Sequence, residues 1–178
     1  MFAQAIRRGN VSLRHRSRRP YRRRPMDTLQ EVGRVRAASS DTSNPNPEEL
    51  HELLARVQRI GVIGLSRNLE KAARRVPSYL AAKGYDIVPI NPNAERIFGK
   101  TAFDTLTDVP GELDLGIIFR PSETAGPFVE EAARRPERPG IWLQEGILAP
   151  HEAGAARAEG LTVVQDLCIF KVHRALFG

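Results

Sequence analysis

The stretch Arg59–Pro92, which begins RIGVIGLSRN and ends YDIVPINP, decides the fold of this chain. Its apolar start predicts a buried strand at Ile60–Leu65, and its apolar end predicts a second strand at Tyr85–Ile90. Residues 69–83, which lie between these strands, are predicted to form a helix. In a strand, turn, helix and strand unit of a parallel sheet, the turn lies at the carboxyl edge, where phosphate-bearing ligands bind.

The rest of the chain continues the alternation of strands and helices. Further strands are predicted at Leu113–Phe119, Gly140–Leu143 and Leu161–Val164. Further helices are predicted at Glu48–Arg59, Glu123–Arg135, Pro150–Glu159 and Asp166–Phe177. Five apolar strands alternating with helices predict an α/β fold: a Rossmann-like, doubly wound parallel sheet in a single three-layer α/β/α domain.

Length and composition indicate an ordinary folded domain. A chain of 178 residues can bury its own core without disulfides, and its single cysteine, Cys168, cannot form an internal bridge. No apolar run approaches the roughly 20 residues needed to cross a bilayer, and the start lacks the apolar region of a secretory signal. These features predict a cytoplasmic protein without a membrane partner.

The excess of positive charge over negative charge lies at the start of the chain. The formal net charge is +6, but residues 1–25 contain nine Arg and no Asp or Glu, so Met26–Gly178 is net negative. The predicted domain is therefore not expected to bind nucleic acid, and the overall pI of about 10.1 says little about its ligand.

We interpret residues 1–45 as a disordered, Arg-rich tail and linker, and residues 46–178 as the folded domain, whose first helix Asn46 can cap. For residues 1–25 we favour an over-extended reading frame, with translation beginning at Met26. Two alternatives stay open. The segment has a passing likeness to an organelle transit peptide, and clustered Arg can neutralise the phosphates of nucleic acid.

The turn after the first strand is a candidate phosphate site. Gly64 permits close backbone approach, Ser66 offers a hydroxyl, and the amides at the start of the next helix point toward an anion. The basic residues nearby are Arg67, Lys71, Arg74 and Arg75. The alternative is an ordinary tight turn flanked by a solvated helix face, because GLS is a weaker motif than a full GxGxxG.

Three other strand ends carry candidate ligand residues. Asn91 and Pro92 stand where an NAD site would normally have an acidic residue for the ribose hydroxyl. Arg120, Pro121 and Ser122 end the third strand, although Ser122 can instead cap a helix. Gln144 and Glu145 follow the fourth strand and are expected to face the crevice, whereas the neighbouring Trp142 is expected in the core.

Residues for catalysis are sparse in this sequence. The four His, at positions 15, 51, 151 and 173, are expected in the tail or on helix surfaces, which leaves no His for a Ser/His/Asp arrangement. No His, Cys and Asp cluster has the spacing of a metal site. Cys168, near a helix start, is interpreted as a small buried residue. We therefore expect no catalytic site and no metal.

Several segments together resemble a known family. They are GLS (64–66), INP (90–92), RPSE (120–123), WLQEGI (142–147) and DLCI (166–169). Because these five segments occur together, residues 59–176 resemble the small stand-alone CoA-binding proteins, whose domain is similar to the CoA-binding domain of the succinyl-CoA synthetase α subunit. The resemblance implies a Rossmann-like domain that binds coenzyme A. It places a phosphate group at Gly64–Asn68 and the nucleotide edge at Asn91 and Pro92, with Arg120–Ser122 lining the rest.

Two departures from the family pattern limit what the resemblance implies. The last motif commonly reads D-R-C, but this chain has Leu167 in the middle position. The phosphorylated His and the nucleotide-activating domain of the ligases have no counterpart in this sequence. Ligase activity is therefore not implied.

The sequence thus predicts a protein that binds coenzyme A or an acyl-CoA without catalysis of its own. The alternative is an NAD(P)-binding oxidoreductase or redox regulator on the same fold, in which Arg96 would meet a 2′-phosphate. The predicted cofactor-binding residues are Gly64, Leu65, Ser66, Arg67, Asn68, Lys71, Arg74, Asn91, Pro92, Arg120, Pro121, Ser122, Gln144 and Glu145.

Overall fold

The computed structural model describes residues 25–178, in which five parallel strands form one sheet and helices cover both faces. The helices are α1 (Pro25–Arg36), α2 (Pro47–Arg56), α3 (Ala72–Ala82), α4 (Ser122–Ala133), α5 (Pro150–Ala158) and α6 (Ile169–Phe177). The strands are β1 (Arg59–Ile63), β2 (Asp86–Ile90), β3 (Arg96–Ile97), β4 (Lys100–Thr101), β5 (Leu115–Ile118), β6 (Gly140–Leu143) and β7 (Val163–Val164). The predictions made for residues 1–24 lie outside the described residues.

The strand order of the main sheet is β2-β1-β5-β6-β7, and every neighbouring pair is parallel. The chain first adds β2 on one side of β1 and then crosses to β5 on the other side. This reversal opens a crevice between the carboxyl ends of β1 and β5. The predicted doubly wound parallel sheet is therefore confirmed. The short strands β3 and β4 form a separate antiparallel hairpin.

Two apolar cores lie on opposite faces of the sheet, because successive side chains of a strand point to opposite sides. On β1, Val62 packs beneath α1, α2, α3 and α6, whereas Ile63 packs beneath α4 and α5. Trp142 of β6 is fully buried in the first core, as predicted, and its indole N–H donates to the carbonyl of Leu167 at 2.6 Å. The three-layer arrangement follows from this division.

The beginning of the described chain differs from the predicted linker. Residues 25–36 form α1, and Val32 is fully buried where α1 packs against α6 and α2. Leu29, Val32 and Val35 recur at every third position, which gives a narrow apolar stripe in an otherwise polar segment. The segment reads as a linker in the sequence because most of its residues are polar.

Residues 37–46, which we call the strap, run from α1 to α2 across the end of β7. The guanidinium of Arg36 donates to the carbonyls of Thr42, Asn44 and Pro45 and so holds the strap in a tight bend. The Asn44 side chain accepts from the Gln165 amide at 2.8 Å and donates to the Gln165 carbonyl at 2.7 Å. The strap is therefore bound to the sheet by specific polar contacts.

The predicted cap of α2 is present. The Asn46 side chain accepts from the Glu49 amide at 2.9 Å, and the Glu49 carboxylate accepts from the Asn46 amide at 2.7 Å. This reciprocal capping box fixes where the strap ends and the helix begins.

His173 is buried, which corrects its expected place on a helix surface. It is 3 % exposed, and its Nδ1 lies 3.0 Å from the Tyr79 hydroxyl. The rings of Tyr79, Tyr85 and Phe177 surround it. Burial lowers the pKa of His173, and the positive charge of Lys83 lowers it further. The fold therefore favours neutral imidazole.

We expect α1 to contribute to the stability of the domain. Val32→Ala should lower the free energy of unfolding by about 2 kcal/mol, because the lost methyl groups leave a cavity beneath the helix. Met26→Ala, at a position 71 % exposed on the same helix, is the matched control and should change little. Urea unfolding measures both variants. If Val32→Ala changed the free energy of unfolding as little as Met26→Ala, α1 would not unfold together with the rest of the domain.

The buried histidine predicts a pH dependence of stability. Because the pKa of His173 is lowered by folding, its contribution is present above the unfolded value of about 6.5 and is lost as the pH falls toward the folded value. His173→Gln should therefore lose less stability than the wild type between about pH 7.5 and pH 5. The same exchange at exposed His151 is the control. Parallel unfolding curves for wild type and His173→Gln would contradict this account.

Candidate functional site

The predicted ligand residues meet along one edge of the sheet. Asn91, Gly64 and Gln144 each directly follow a strand, and Phe119 holds the same position after β5. The strands pair in register up to these positions, so the four residues form a row across the carboxyl edge. Parallel strands lie about 4.8 Å apart, which makes the row about 14 Å long. A long, extended ligand would fit such a row.

Gly64 makes the turn that brings the ends of β1 and β5 together. Its φ is +81°, and a Cβ at this position would lie 2.7 Å from the carbonyl oxygen of Phe119. We expected glycine here to make room for a ligand. In the structure it is the neighbouring strand end of this same chain that approaches closely, so Gly64 is required by the fold.

The loop after Gly64 satisfies many of its own polar groups. The Ser66 amide donates to the Ala73 carbonyl at 3.1 Å. That carbonyl is free because Pro77, four residues later in α3, has no N–H to donate. The Ser66 hydroxyl accepts from the Asn68 amide at 3.1 Å, and Asn68 in turn caps the Glu70 amide. The loop is thus preformed, and Ser66 keeps its hydroxyl proton for a further contact.

The start of α3 remains open to an anion. Its N-cap residue, Lys71, makes no side-chain capping hydrogen bond. The first amides of a helix carry partial positive charge and accept an anionic ligand when no side chain caps them. Arg67, Lys71 and Arg75 are exposed around this helix start, and Arg74 is half-buried. Positive charge is therefore concentrated beside the turn.

Three buried donors lack a partner within residues 25–178, and all three were predicted to bind ligand. They are Arg74 Nε, Arg120 Nε and Gln144 Nε2. Arg120 Nε lies 3.4 Å from the point that a Cβ on Gly64 would occupy, so it lies beside the turn. An unsatisfied buried donor destabilises a fold by about 1–3 kcal/mol, and by more when it is charged. Their presence makes this edge the candidate site.

Asn91 is engaged by the chain itself. Its Nδ2 donates to the Leu65 carbonyl at 2.9 Å, and its Oδ1 accepts from the Asn93 amide at 2.9 Å. This side chain therefore joins the end of β2 to the turn after β1, a role that the sequence analysis missed. One N–H and one lone pair remain for a ligand. The adjoining Pro92 is exposed.

Ser122 does not cap α4, contrary to the alternative that we considered. The N-cap is Pro121, which is exposed, and Ser122 is the first residue of the helix. The Ser122 hydroxyl accepts from the Leu148 amide at 3.0 Å. It therefore ties the start of α4 to the loop that follows β6.

The loop after β6 separates Gln144 from Glu145. Gln144 is 5 % exposed, whereas Glu145 is exposed and pairs with Lys171 of α6 at 2.7 Å. This hydrogen bond raises the pKa of Lys171. Gln144 is thus buried at the carboxyl edge, whereas Glu145 faces outward toward α6.

Asp166 anchors the same loop, although the sequence analysis did not assign it to the site. Its Oδ1 accepts from the Gly146 amide at 2.6 Å, and its Oδ2 accepts from the Ser40 amide and hydroxyl at 2.8 Å. Partial burial raises the pKa of Asp166, but these hydrogen bonds outweigh burial and hold it below the usual value. The position of Asp166 at the start of the DLCI motif is the sequence feature that could have indicated this role.

Two cavities lie at the opposite, amino edge of the sheet. One of about 340 Å³ is lined in part by Asp114, Gly140 and Thr162, and one of about 560 Å³ is lined in part by Tyr85 and Phe177. None of the three unpartnered donors lines either cavity. We therefore assign the candidate site to the carboxyl edge.

Residues 25–178 contain neither a metal-binding cluster nor a membrane-spanning helix. No group of three or more His, Cys, Asp or Glu side chains lies close enough to hold a metal ion. None of the helices in this range is long and apolar enough to span a membrane.

The family assignment rests on both the sequence and the fold. The sequence model of the CoA binding domain family matches residues 58–174, and the chain belongs to this family. The uncharacterized protein YneT of Bacillus subtilis is 33% identical over 130 residues, which cover 73% of this chain and 96% of YneT. The resemblance inferred from the motifs is thereby confirmed.

Solved structures show the same fold in small proteins. The cell-free ID.343 protein of Thermus thermophilus is 34% identical with a TM-score of 0.70, and the match covers 75% of this chain and 100% of that one. A hypothetical protein from Pyrococcus horikoshii OT3 is 26% identical with a TM-score of 0.72, covering 78% of this chain and 99% of that one.

CoA ligases contain a related domain. The ADP-forming acetate–CoA ligase II of Archaeoglobus fulgidus is 29% identical over 98 residues, which are 54% of this chain and 15% of that enzyme. The likeness therefore concerns one part of a much longer ligase.

The Gly64 contact can be tested by a pair of alanine variants. Gly160 has a φ of +84° with no atom within 4 Å of an added Cβ, so Gly160→Ala reports the strain of this backbone conformation alone. That strain is about 1–2 kcal/mol. Gly64→Ala should lower the free energy of unfolding by more, because its Cβ also meets the Phe119 carbonyl. Urea unfolding measures the difference. Equal losses of stability in the two variants would show that the Phe119 carbonyl can move away from the added Cβ without cost.

Proposed function

We propose that this chain binds coenzyme A or an acyl-CoA along the carboxyl edge of the sheet. The observation that carries the proposal is the set of three buried, unpartnered donors, Arg74 Nε, Arg120 Nε and Gln144 Nε2, at one edge of a CoA-binding domain. CoA combines a diphosphate, a ribose 3′-phosphate and a pantetheine arm with two amides. It therefore offers both the anionic and the carbonyl acceptors that these donors lack.

The phosphates are proposed to lie between the turn Gly64–Asn68 and the two arginines. Arg120 is beside the turn, Arg74 is in the first turn of α3, and the uncapped helix start adds positive potential. The exposed Arg67 and Lys71 extend this potential outward. Charge-assisted hydrogen bonds to phosphate offset the desolvation of the arginines.

The two ends of the ligand are proposed to lie on either side of the phosphates. Asn91 and Pro92 form the nucleotide edge, where Asn91 retains one donor and one acceptor for uncharged groups. Gln144 lies on the other side, toward β6, and can donate to a carbonyl of the pantetheine arm. The row of strand ends therefore matches the order of groups in the ligand.

We infer binding without a chemical step by this chain. The unpartnered groups are two guanidiniums and a carboxamide, which do not exchange protons near neutral pH. They suit recognition of a charged and amide-bearing ligand better than acid–base catalysis. A cytoplasmic location is part of the proposal, since the single Cys168 and the CoA thiol both stay reduced there.

The ligand class is tested by binding measurements on the full chain with CoA, acetyl-CoA, NAD, NADP and ATP. CoA or acetyl-CoA should bind most tightly in calorimetry and should stabilise the protein by about 2.7 kcal/mol at 100 times its dissociation constant. Tighter binding of NADP would instead favour the oxidoreductase alternative. In that alternative Arg96, which donates to the Gly99 carbonyl, would have to turn toward a 2′-phosphate.

Arg120 distinguishes binding from folding. Arg120→Met should lower CoA affinity by about 10- to 100-fold, because a hydrogen bond to a charged group contributes about 1.5–3 kcal/mol. The ligand-free variant should be at least as stable as the wild type, since its buried Nε has no partner to lose. Arg134→Met, at the far end of α4, is the matched control. Unchanged affinity in Arg120→Met would refute this placement of the phosphates.

A further inference from the structure

The turn of the β3–β4 hairpin contains a residue that is unfavourable there. Ile97 pairs with Lys100, so the turn consists of two residues, Phe98 and Gly99, with φ values of +57° and +70°. Two-residue turns with positive φ at both positions strongly favour Asn-Gly, and a bulky residue in this conformation is an outlier. An outlier held by its surroundings is a reason to look for a function.

The ring of Phe98 contacts one of the unpartnered arginines. The Arg74 guanidinium carbon lies 3.8 Å from the centre of the Phe98 ring, which is a close cation–π contact. Arg74 Nε is buried without a hydrogen-bond partner. The ring thus supports the face of the guanidinium and leaves its N–H edge available.

The hairpin is firmly fixed to the sheet. Lys100 Nζ donates to the carbonyl of Ile87 at 3.0 Å and pairs with Asp86 at the start of β2. Ala102 donates its amide to the Glu95 carbonyl at 2.9 Å, which closes the base of the hairpin. Phe98 is therefore presented to Arg74 from a rigid support.

We propose that Phe98 is a positioning residue that orients Arg74 toward the phosphates of bound CoA; this inference rests on the function proposed above. A carboxylate in the place of Phe98 would also hold Arg74, but it would neutralise the charge and occupy its donors. An aromatic face holds the guanidinium plane while its hydrogen-bonding edge stays free. In this proposal the cost of the unfavourable turn conformation is offset because Arg74 is already oriented to bind a phosphate.

Phe98 also packs against the core, so a purely structural role is the competing explanation. Two substitutions separate these roles. Phe98→Leu keeps an apolar side chain but removes the aromatic face, and Phe98→Tyr keeps the face. Both retain a side chain at positive φ, so both carry similar backbone strain.

Calorimetry with CoA on the full chain tests the proposal. Phe98→Leu should weaken binding by about tenfold, which corresponds to the loss of a partly desolvated cation–π contact. Phe98→Tyr should restore affinity to within about twofold of the wild type, as expected from a retained aromatic face. In an Arg74→Gln background, Phe98→Leu should have no further effect, because Phe98 acts through Arg74.

The outcomes separate this inference from the proposed function. If the wild type binds no CoA ligand, the proposed function fails, and the role of Phe98 fails with it. If the wild type binds CoA and Phe98→Leu binds equally well, only the role of Phe98 is overturned. A similar loss of affinity in the presence and absence of Arg74 would also overturn it and would assign Phe98 to packing. Urea unfolding of each variant shows that the compared proteins are folded.

Discussion

The contact between the Gly64 turn and the end of β5 is the constraint on which the site depends. The chain reverses its strand order between β1 and β5, and the residues directly after these two strands, Gly64 and Phe119, lie in close contact. A Cβ at Gly64 would lie 2.7 Å from the Phe119 carbonyl oxygen, so only glycine allows this approach at a φ of +81°. Arg120, the next residue, is thereby placed beside the turn with its Nε buried. The same contact thus closes the fold and creates the charged part of the candidate site.

The site differs from the rest of the described domain in how its polar groups are satisfied. Elsewhere, buried polar side chains have partners: Asn44 bonds to the backbone of Gln165, and the Gln165 side chain accepts from the Ala149 amide and donates to the Asp41 carboxylate. At the carboxyl edge, two arginines and Gln144 hold donors that find no partner in residues 25–178. Rigid supports keep these donors in place: the Phe98 ring lies under Arg74, and the Phe128 ring lies 5.7 Å from the Arg120 guanidinium carbon. The domain therefore retains local instability where a ligand is proposed to bind.

The sequence predicted the sheet because its strands are short apolar runs separated by clear turns, and it predicted the edge because parallel strand ends share one side. The sequence could not predict the hydrogen bonds of the loop after Gly64. The Ser66 amide donates to the Ala73 carbonyl, which is available only because Pro77, one helical turn later, has no N–H. The hydrogen bond from Asn91 to the Leu65 carbonyl also joins two separate loops, so the sequence alone did not reveal it. The helix α1 was missed because its apolar stripe is narrow. The pairing of β3 with β4 was not predicted because each of these strands has only two residues. Long apolar patterns are thus visible in the sequence, whereas cross-loop polar contacts are not.

The Asn44 contact of the strap lies at the outer edge of the main sheet. β7 is the last strand of the sheet, and an outer strand offers unpaired backbone groups to which another chain can add. Asn44 accepts from the amide and donates to the carbonyl of Gln165, just as a neighbouring strand would. A single side chain from outside the family-matched residues 58–174 therefore occupies, at Gln165, the hydrogen-bonding groups that a further strand would use.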